Sequence, residues 1–305
     1  MATPVIISAA LNGNRDRAEH PAIPITPEAI AAEAVRCRDA GASIFHVHAR
    51  APDGGWTAEL DPWQAVMRQL RQAVPDGVIS ITSIRPAGVP VEAVLDLLSG
   101  LAAAPETKPD LISVNLGHIA VWERVPAPGT GRRTRHYPNN YEDVVRLLGL
   151  CARLGIHSEL GLMDLGFVSN AVALQDDGKL AERPWFLVEL DNPGHLVGGQ
   201  IVPSTVAHYT AMIEPLRRHF PGAVWCAHGG GVDGYAVIER ALADGAHIRV
   251  GFEDAVQLPD GSTPRGNADL VAWAVERAAA HGRVPSQGIA TRRLVANGGA
   301  IGAES

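Results

Sequence analysis

The sequence predicts an α/β protein folded as a closed (β/α)8 barrel, and three observations lead there. Short β-branched apolar runs alternate strictly with longer segments of helical periodicity. Eight of each can be read, which favours parallel strands joined by crossover helices. Finally, 305 residues without a linker rich in glycine and serine suit one closed barrel better than an open doubly wound sheet. One domain is expected over residues 1–305, with a C-terminal extension over about 281–305 packed on it.

The elements follow in order. Val5 to Ala10 is the first strand, followed by a proline-rich loop. Thr26 is a natural N-cap, Pro27 suits the first helical position and Glu28 the first turn, so a helix runs to about Arg38, and Gly41 ends the turn after it. Ser43 to His48 is strand two. Asp61-Pro62 opens the second helix, which reaches about Gln72, before strand three at Val78 to Thr82. A helix over Pro90 to Leu98 precedes strand four at Leu111 to Val114. Asn115 to Asn139 is read as mostly loop, and Tyr141 to Leu150 as helix. Strand five is Ile156 to Leu160, with a weaker helix near Phe167 to Leu174. Strand six is Trp185 to Leu190, with helix over Ser204 to His219. Strand seven is Val224 to Ala227, with helix over Gly234 to Leu242. Strand eight is His247 to Val250. The last long helix covers Asn267 to Ala280, with Asn267 as its cap.

Composition narrows the function. Hydrophobic residues make up 46% and charged ones 19%, enough to build a large core and exclude disordered and fibrous classes. Lys plus Arg total 26 against 33 Asp plus Glu, a net charge of -7, which argues against coating nucleic-acid phosphates. Cys37, Cys151 and Cys226 form no close pair, so neither a disulfide framework nor an all-cysteine zinc site is expected. The N-terminal apolar run stops by Leu11 with no basic leader, unlike a signal peptide. No apolar run approaches the roughly 20 residues of a membrane span. The expectation is a soluble cytoplasmic enzyme without nucleic-acid or membrane partners.

The sharpest chemical feature is Phe45-His46-Val47-His48. Strand alternation points His46 and His48 the same way, and a barrel's active face lies at its strand ends. Two imidazoles so placed can bind one metal ion, or donate to neighbouring polar groups. Glu253 ends strand eight, which closure brings beside strand one and near strand two. The set becomes His2Glu with an open position, a catalytic geometry. Alternation turns Asp254 away from Glu253 unless the chain bends, which would free Asp254 as base or charge partner. Arg249 needs a carboxylate or an anionic ligand if it points inward. Other polar strand ends reach the same rim: Thr82, Ser83, Arg85, Asn115, Glu159, Asn192, and His228 with Gly229 to Gly231. Thr82, Ser83 and Asn115 can bind a carboxylate or oxyanion, and Glu159 can orient a metal-bound histidine. The glycines can admit a phosphate or pantetheine arm, or form a tight turn. No dinucleotide fingerprint follows strand one and no GxSxG elbow occurs, leaving metal-dependent hydrolysis as the chemical rival.

These residues resemble the beta-keto acid cleavage enzymes, the group named after 3-keto-5-aminohexanoate cleavage enzyme. The likeness spans nearly the whole chain. It runs from Pro21 to Glu28, through His46-Val47-His48 and Gly155 to Asp164, to Gly245 to Asp254 and Asn267 to Val271. It implies a divalent metal, usually zinc, on His46, His48 and Glu253. It implies condensation of a β-keto acid with acetyl-CoA, giving acetoacetate and a new CoA thioester. Asp254 would take the α proton, tuned by Arg249, with Glu159 in support. Thr82, Ser83 and Asn115 would hold substrate, and His228, Gly229 and Gly230 the CoA. A homo-oligomer, commonly a tetramer, is implied as well. Two departures concern the substrate. The loop Asn12-Gly13-Asn14-Arg15-Asp16 is one residue shorter than the family's and puts Arg15 where an acid would meet an amine. Strand three ends Thr82-Ser83-Ile84-Arg85. Arg15 or Arg85 can therefore bind a second carboxylate, as in β-ketoadipate, although Arg15 can instead pair with Asp16 or Glu19. A hydrolase or aldolase acting without CoA, and a binding protein without chemistry, are the competing readings.

Overall fold

In the computed structural model, residues 3–124, 131–190 and 202–297 are described. Eight parallel strands close in chain order: β1 (Ile7–Ala10), β2 (Ile44–Val47), β3 (Val78–Thr82), β4 (Leu111–Asn115), β5 (His157–Leu162), β6 (Trp185–Leu190), β7 (Val224–Gly229) and β8 (His247–Val250), which pairs back onto β1. Each is followed by its helix: α1 (Pro27–Ala40), α2 (Leu60–Ala73), α3 (Glu92–Leu101), α4 (Tyr141–Leu154), α5 (Leu165–Asp176), α6 (Val206–His219), α7 (Gly234–Ala243) and α8 (Asn267–Ala280). A further helix, α9 (Gly288–Ala296), ends the described chain. No described helix is long and apolar enough to cross a membrane.

Side-chain caps explain several boundaries, the predicted Thr26 among them. Thr26 Oγ1 accepts from Ala29 N at 3.3 Å, Asn140 Oδ1 from Asp143 N at 2.8 Å, and Asp164 Oδ1 from Phe167 N at 3.1 Å. Four readings need correction. Strand one is divided: Thr3–Val5 pairs with Arg283–Pro285, and only Ile7–Ala10 joins the barrel. Between them Ile6 N donates to His247 Nδ1 at 3.1 Å, so the backbone changes partners there. Helix α2 begins at Leu60 without a side-chain cap, and Asp61 instead lies in its first turn, where a carboxylate favours the helix dipole. The segment read as loop after β4 holds an antiparallel hairpin, His118–Arg124 against Arg132–Pro138. Asn267 does not cap α8 either; it is the first helical residue.

The side chain of Asn267 serves the barrel instead. Its Oδ1 accepts from Phe252 N at 2.7 Å and its Nδ2 donates to Leu11 O at 3.0 Å. This buried clasp ties the end of β1 to the turn after β8. Its own amide donates to Glu33 Oε1 of α1 at 2.5 Å. Asn267→Ala strands two buried backbone groups, and we expect a stability loss of about 2–3 kcal/mol in denaturant unfolding.

Alternation along the strands sorts the core into layers. Ile7, Phe45, Ile79, Val114 and Val188 face outward and pack with the helices. Inside, at the strand starts, Ile6, Ile44, Val78, Leu111, Trp185 and Cys226 form an apolar floor, closed from below by Val295 of α9. Above that floor the inward positions turn polar, and the site begins there.

Candidate active site

His46 is inward on β2 and His48 lies just past its end; both are buried. Asn12 fixes the second, accepting from His48 N at 3.0 Å and donating to His48 O at 2.9 Å. The Nε2 atoms face each other at 3.3 Å, and each lies 3.6 Å from a carboxylate oxygen of Glu253. The far nitrogens have partners: His46 Nδ1 meets Ser80 Oγ at 3.0 Å, and His48 Nδ1 meets Asn14 Oδ1 at 3.3 Å. Since an amide oxygen only accepts, Nδ1 of His48 carries a proton, and Nε2 is the nitrogen turned toward the other two groups. Burial lowers the pKa of His46 to about 3, so that ring is neutral. Burial alone would raise Glu253, but the Arg249 guanidinium outweighs it and holds the carboxyl well below its ordinary value.

Two imidazole nitrogens and a carboxylate thus converge, with one possible ligand atom from each within 4.8 Å of the others. Glu253 Oε2 has no hydrogen-bond partner among the described residues. Two imidazoles beside a carboxylate with one bare buried oxygen fit a divalent cation with His2Glu ligation. The hydrogen bonds between the far nitrogens and Ser80 and Asn14 are the kind that orient metal-bound histidines.

Beside it stands a buried ion pair. Arg249 Nε donates to Asp254 Oδ2 at 3.0 Å, and Nη2 donates to Asp254 Oδ1 at 2.8 Å. The same Nη2 lies 2.9 Å from Glu253 Oε1. Alternation alone would have parted the two acids. A turn at Gly251 (φ +150°) brings both inward, and a Cβ there would lie 2.1 Å from Ala10 O. Asp254 N closes that turn onto Gly251 O at 2.9 Å.

The other predicted residues divide into two groups. Thr82 and Asn115 lie at the inward ends of β3 and β4, and Glu159 is buried on β5. Ser83 uses its hydroxyl on Ser113 O at 2.7 Å. The two arginines are engaged elsewhere. Arg85 donates to Val89 O, Asn139 Oδ1, Pro138 O and Asp143 Oδ2, joining the end of β3 to the start of α4. Arg15 pairs with Glu19 and donates to Glu253 O at 3.1 Å, which supports the turn that carries Glu253. The cradle expected of His228, Gly229 and Gly230 is also taken up within the fold. Gly230 N donates to Leu190 O and Ser204 Oγ, Gly229 packs against Gly234 of α7, and His228 is fully buried. Asn192 lies outside the described residues.

Comparison with known proteins gives this arrangement its context. The profile of the beta-keto acid cleavage enzyme family matches residues 4–296. This chain belongs to the beta-keto acid cleavage enzyme family. A relative from Fusobacterium nucleatum, named 3-keto-5-aminohexanoate cleavage enzyme, is 27% identical over 282 residues, 92% of this chain and 93% of its own length. A second, from Cupriavidus necator and named 3-oxoadipate:acetyl-CoA acetyltransferase, is 27% identical over 286 residues, 93% of this chain and 91% of its own. Among solved structures, a binary complex of ObcA with oxaloacetate superposes with a TM-score of 0.71 at 19% identity, covering 92% of this chain and 68% of that one. That likeness is one of fold.

Two residues of this family member escape a reading by strand ends. Glu189 is buried on β6, at an inward position of an otherwise apolar strand, and that lone acid was its available signal. Its carboxylate reaches across β5 because Gly161 leaves room. A Cβ at Gly161 would lie 2.4 Å from Glu189 Oε1 and 1.9 Å from Asn115 Oδ1. Tyr137, delivered by the hairpin, is buried against the same group. Burial pushes its hydroxyl well above the ordinary value, Glu189 adds to this, and Asn115 hydrogen-bonds it. Nothing in a segment rich in arginine and proline marked that tyrosine as inward.

Glu159 lies among these charges. Burial raises its pKa from 4.5 to about 8; Arg249 opposes, while Glu189, Glu253 and Asp254 add to the rise. A carboxyl whose folded pKa is raised stabilises the fold fully below its unfolded pKa, and that contribution is lost as pH rises through the folded value. At pH 7 metal-free protein therefore bears the free energy of keeping Glu159 protonated. We expect Glu159→Gln to stabilise the metal-free protein by about 3 kcal/mol at pH 7 and by under about 1 kcal/mol at pH 5, checked by unfolding at both values.

Proposed function

We propose that this enzyme condenses a β-keto acid with acetyl-CoA and releases acetoacetate, leaving the rest of the keto acid as a CoA thioester. The observation that carries the reading is the meeting of His46, His48 and Glu253 beside an Asp254 clamped by Arg249. Relatives named for acetyl-CoA transfer support it. A divalent ion on the three ligands, zinc by family resemblance, would polarise the keto group and lower the barrier to enolate formation. A homotetramer also carries over from that resemblance.

Asp254 then removes a proton from the carbon between the keto and carboxylate groups. That carbon attacks the thioester carbon, and CoA leaves as thiolate. The thiolate adds to the original keto carbon. The bond between that carbon and the α carbon breaks, its electrons remain on the α carbon, and Asp254 returns the proton to the released acetoacetate. Thr82 and Asn115, neutral donors at the ends of β3 and β4, suit the substrate carboxylate. Arg15 and Arg85, engaged within the fold, lend no support to recognition of a second carboxylate. The test is a panel of β-keto acids incubated with metal-loaded enzyme, with and without acetyl-CoA. Acetoacetate formed only in the complete mixture is expected. Consumption of keto acid without CoA would identify a hydrolase or aldolase instead.

A further inference from the structure

We propose that His228 is a positioning residue for the reaction, holding Asp254 from β7 while Glu189 on β6 sets the imidazole in place. The proposal rests on the reading of Asp254 as the base.

His228 is wholly buried, and its two nitrogens point at two carboxylates. Nδ1 lies 3.3 Å from Asp254 Oδ1, and Nε2 lies 3.7 Å from Glu189 Oε2. Neither contact is a closed hydrogen bond among the described residues. Contacts of this kind commonly tighten when a catalytic site fills. The strands explain the alignment: β7 pairs with β6 in a register that sets His228 opposite Glu189, and Gly231 N donates to Asp254 O at 3.0 Å. Three consecutive barrel elements thus contribute one group each to a carboxylate–imidazole–carboxylate chain.

Arg249 cannot position Asp254 independently. Its Nη2 is shared between Asp254 Oδ1 and Glu253 Oε1, so any shift of the metal-side carboxylate is passed on to the base. A second donor on Oδ1, anchored in another strand, restrains the carboxylate plane against that coupling. Glu189 supplies the anchor, since a ring fixed at Nε2 has its Nδ1 direction fixed too. Gly161 makes this possible by leaving the space through which Glu189 reaches inward. A fully buried imidazole with no such duty would be an expensive way to fill the barrel, where an apolar side chain packs without a desolvation penalty.

The test uses proton abstraction alone. Acetoacetate is incubated in deuterium oxide with metal-loaded enzyme and no acyl-CoA, and loss of its α-proton signal is followed by NMR. For His228→Leu, exchange and full turnover are expected to fall together by about 10–100-fold, with KM within about twofold and bound metal unchanged. His228→Asn places an amide donor near Nδ1 and is expected to restore the rate to within about fivefold of wild type. Glu189→Gln is expected to lose about three- to tenfold. Exchange at the wild-type rate in His228→Leu overturns the proposal, and so does loss of its metal. Should the leucine variant not fold, wild-type exchange in Glu189→Leu overturns it equally. Asp254→Asn is the control: if that variant still exchanges, the failure belongs to the choice of base and not to His228.

Discussion

Asp254→Asn is expected to keep its metal and lose turnover by about 10³-fold, within the range that general-base catalysis contributes. The substitution keeps the size of the side chain and removes the carboxylate oxygen proposed to take the proton. Its amide oxygen can still accept from Arg249, which retains Glu253 as a charge partner, so the buried guanidinium is not abandoned. Such an abandoned charge would be strongly destabilising and would make loss of activity uninformative. The ligand set His46, His48 and Glu253 is untouched. The measurements are kcat in the complete assay and metal per chain by elemental analysis. Loss of metal together with activity would mean that Asp254 belongs to the ion and that the base must be sought elsewhere.

The barrel was legible because its periodicity is carried by residues that pack the same way everywhere. Strands three, six and eight have the predicted bounds, since apolar runs such as Val78 to Thr82 are closed by turn or cap residues. The grouping of His46, His48 and Glu253 was legible from topology: alternation pairs His46 with His48, and closure brings β8 to their side. Residues whose role depends on contacts distant in sequence were harder. Asn267 reads as a helix cap by composition, yet bonds to Leu11 O, 256 residues away. Arg85 reads as a free cation beside the site, yet Asn139 and Asp143 arrive from beyond β4 to occupy it. Glu189 and His228 meet through strand register, and Glu189 needs Gly161 on a third strand, a relation visible only once the three are adjacent. In each case a side chain's neighbours were decided by closure of the barrel, which local pattern does not encode.

Glu253→Ala should separate the metal site from the remainder of the active site more sharply than either histidine. It removes the one anionic ligand, so metal affinity should fall by more than the roughly 10–100-fold that loss of a supporting hydrogen bond produces. Turnover should vanish with it, because the developing enolate then lacks its counter-charge. The fold should survive, since Asp254 still neutralises Arg249 through two contacts. A ligand that binds only the folded state stabilises it by about 4 kcal/mol at a thousandfold excess over Kd. A chelator should therefore lower the Tm of wild-type protein and leave that of Glu253→Ala almost unmoved. Ser80→Ala, which removes only the hydroxyl beside His46 Nδ1, should lie between the two. If Glu253→Ala binds metal as tightly as wild type, the ion is held elsewhere and the mutual approach of the two imidazoles needs another cause. Equal chelator sensitivity with lost turnover would instead make Glu253 a proton-transfer group, reversing its role with Asp254.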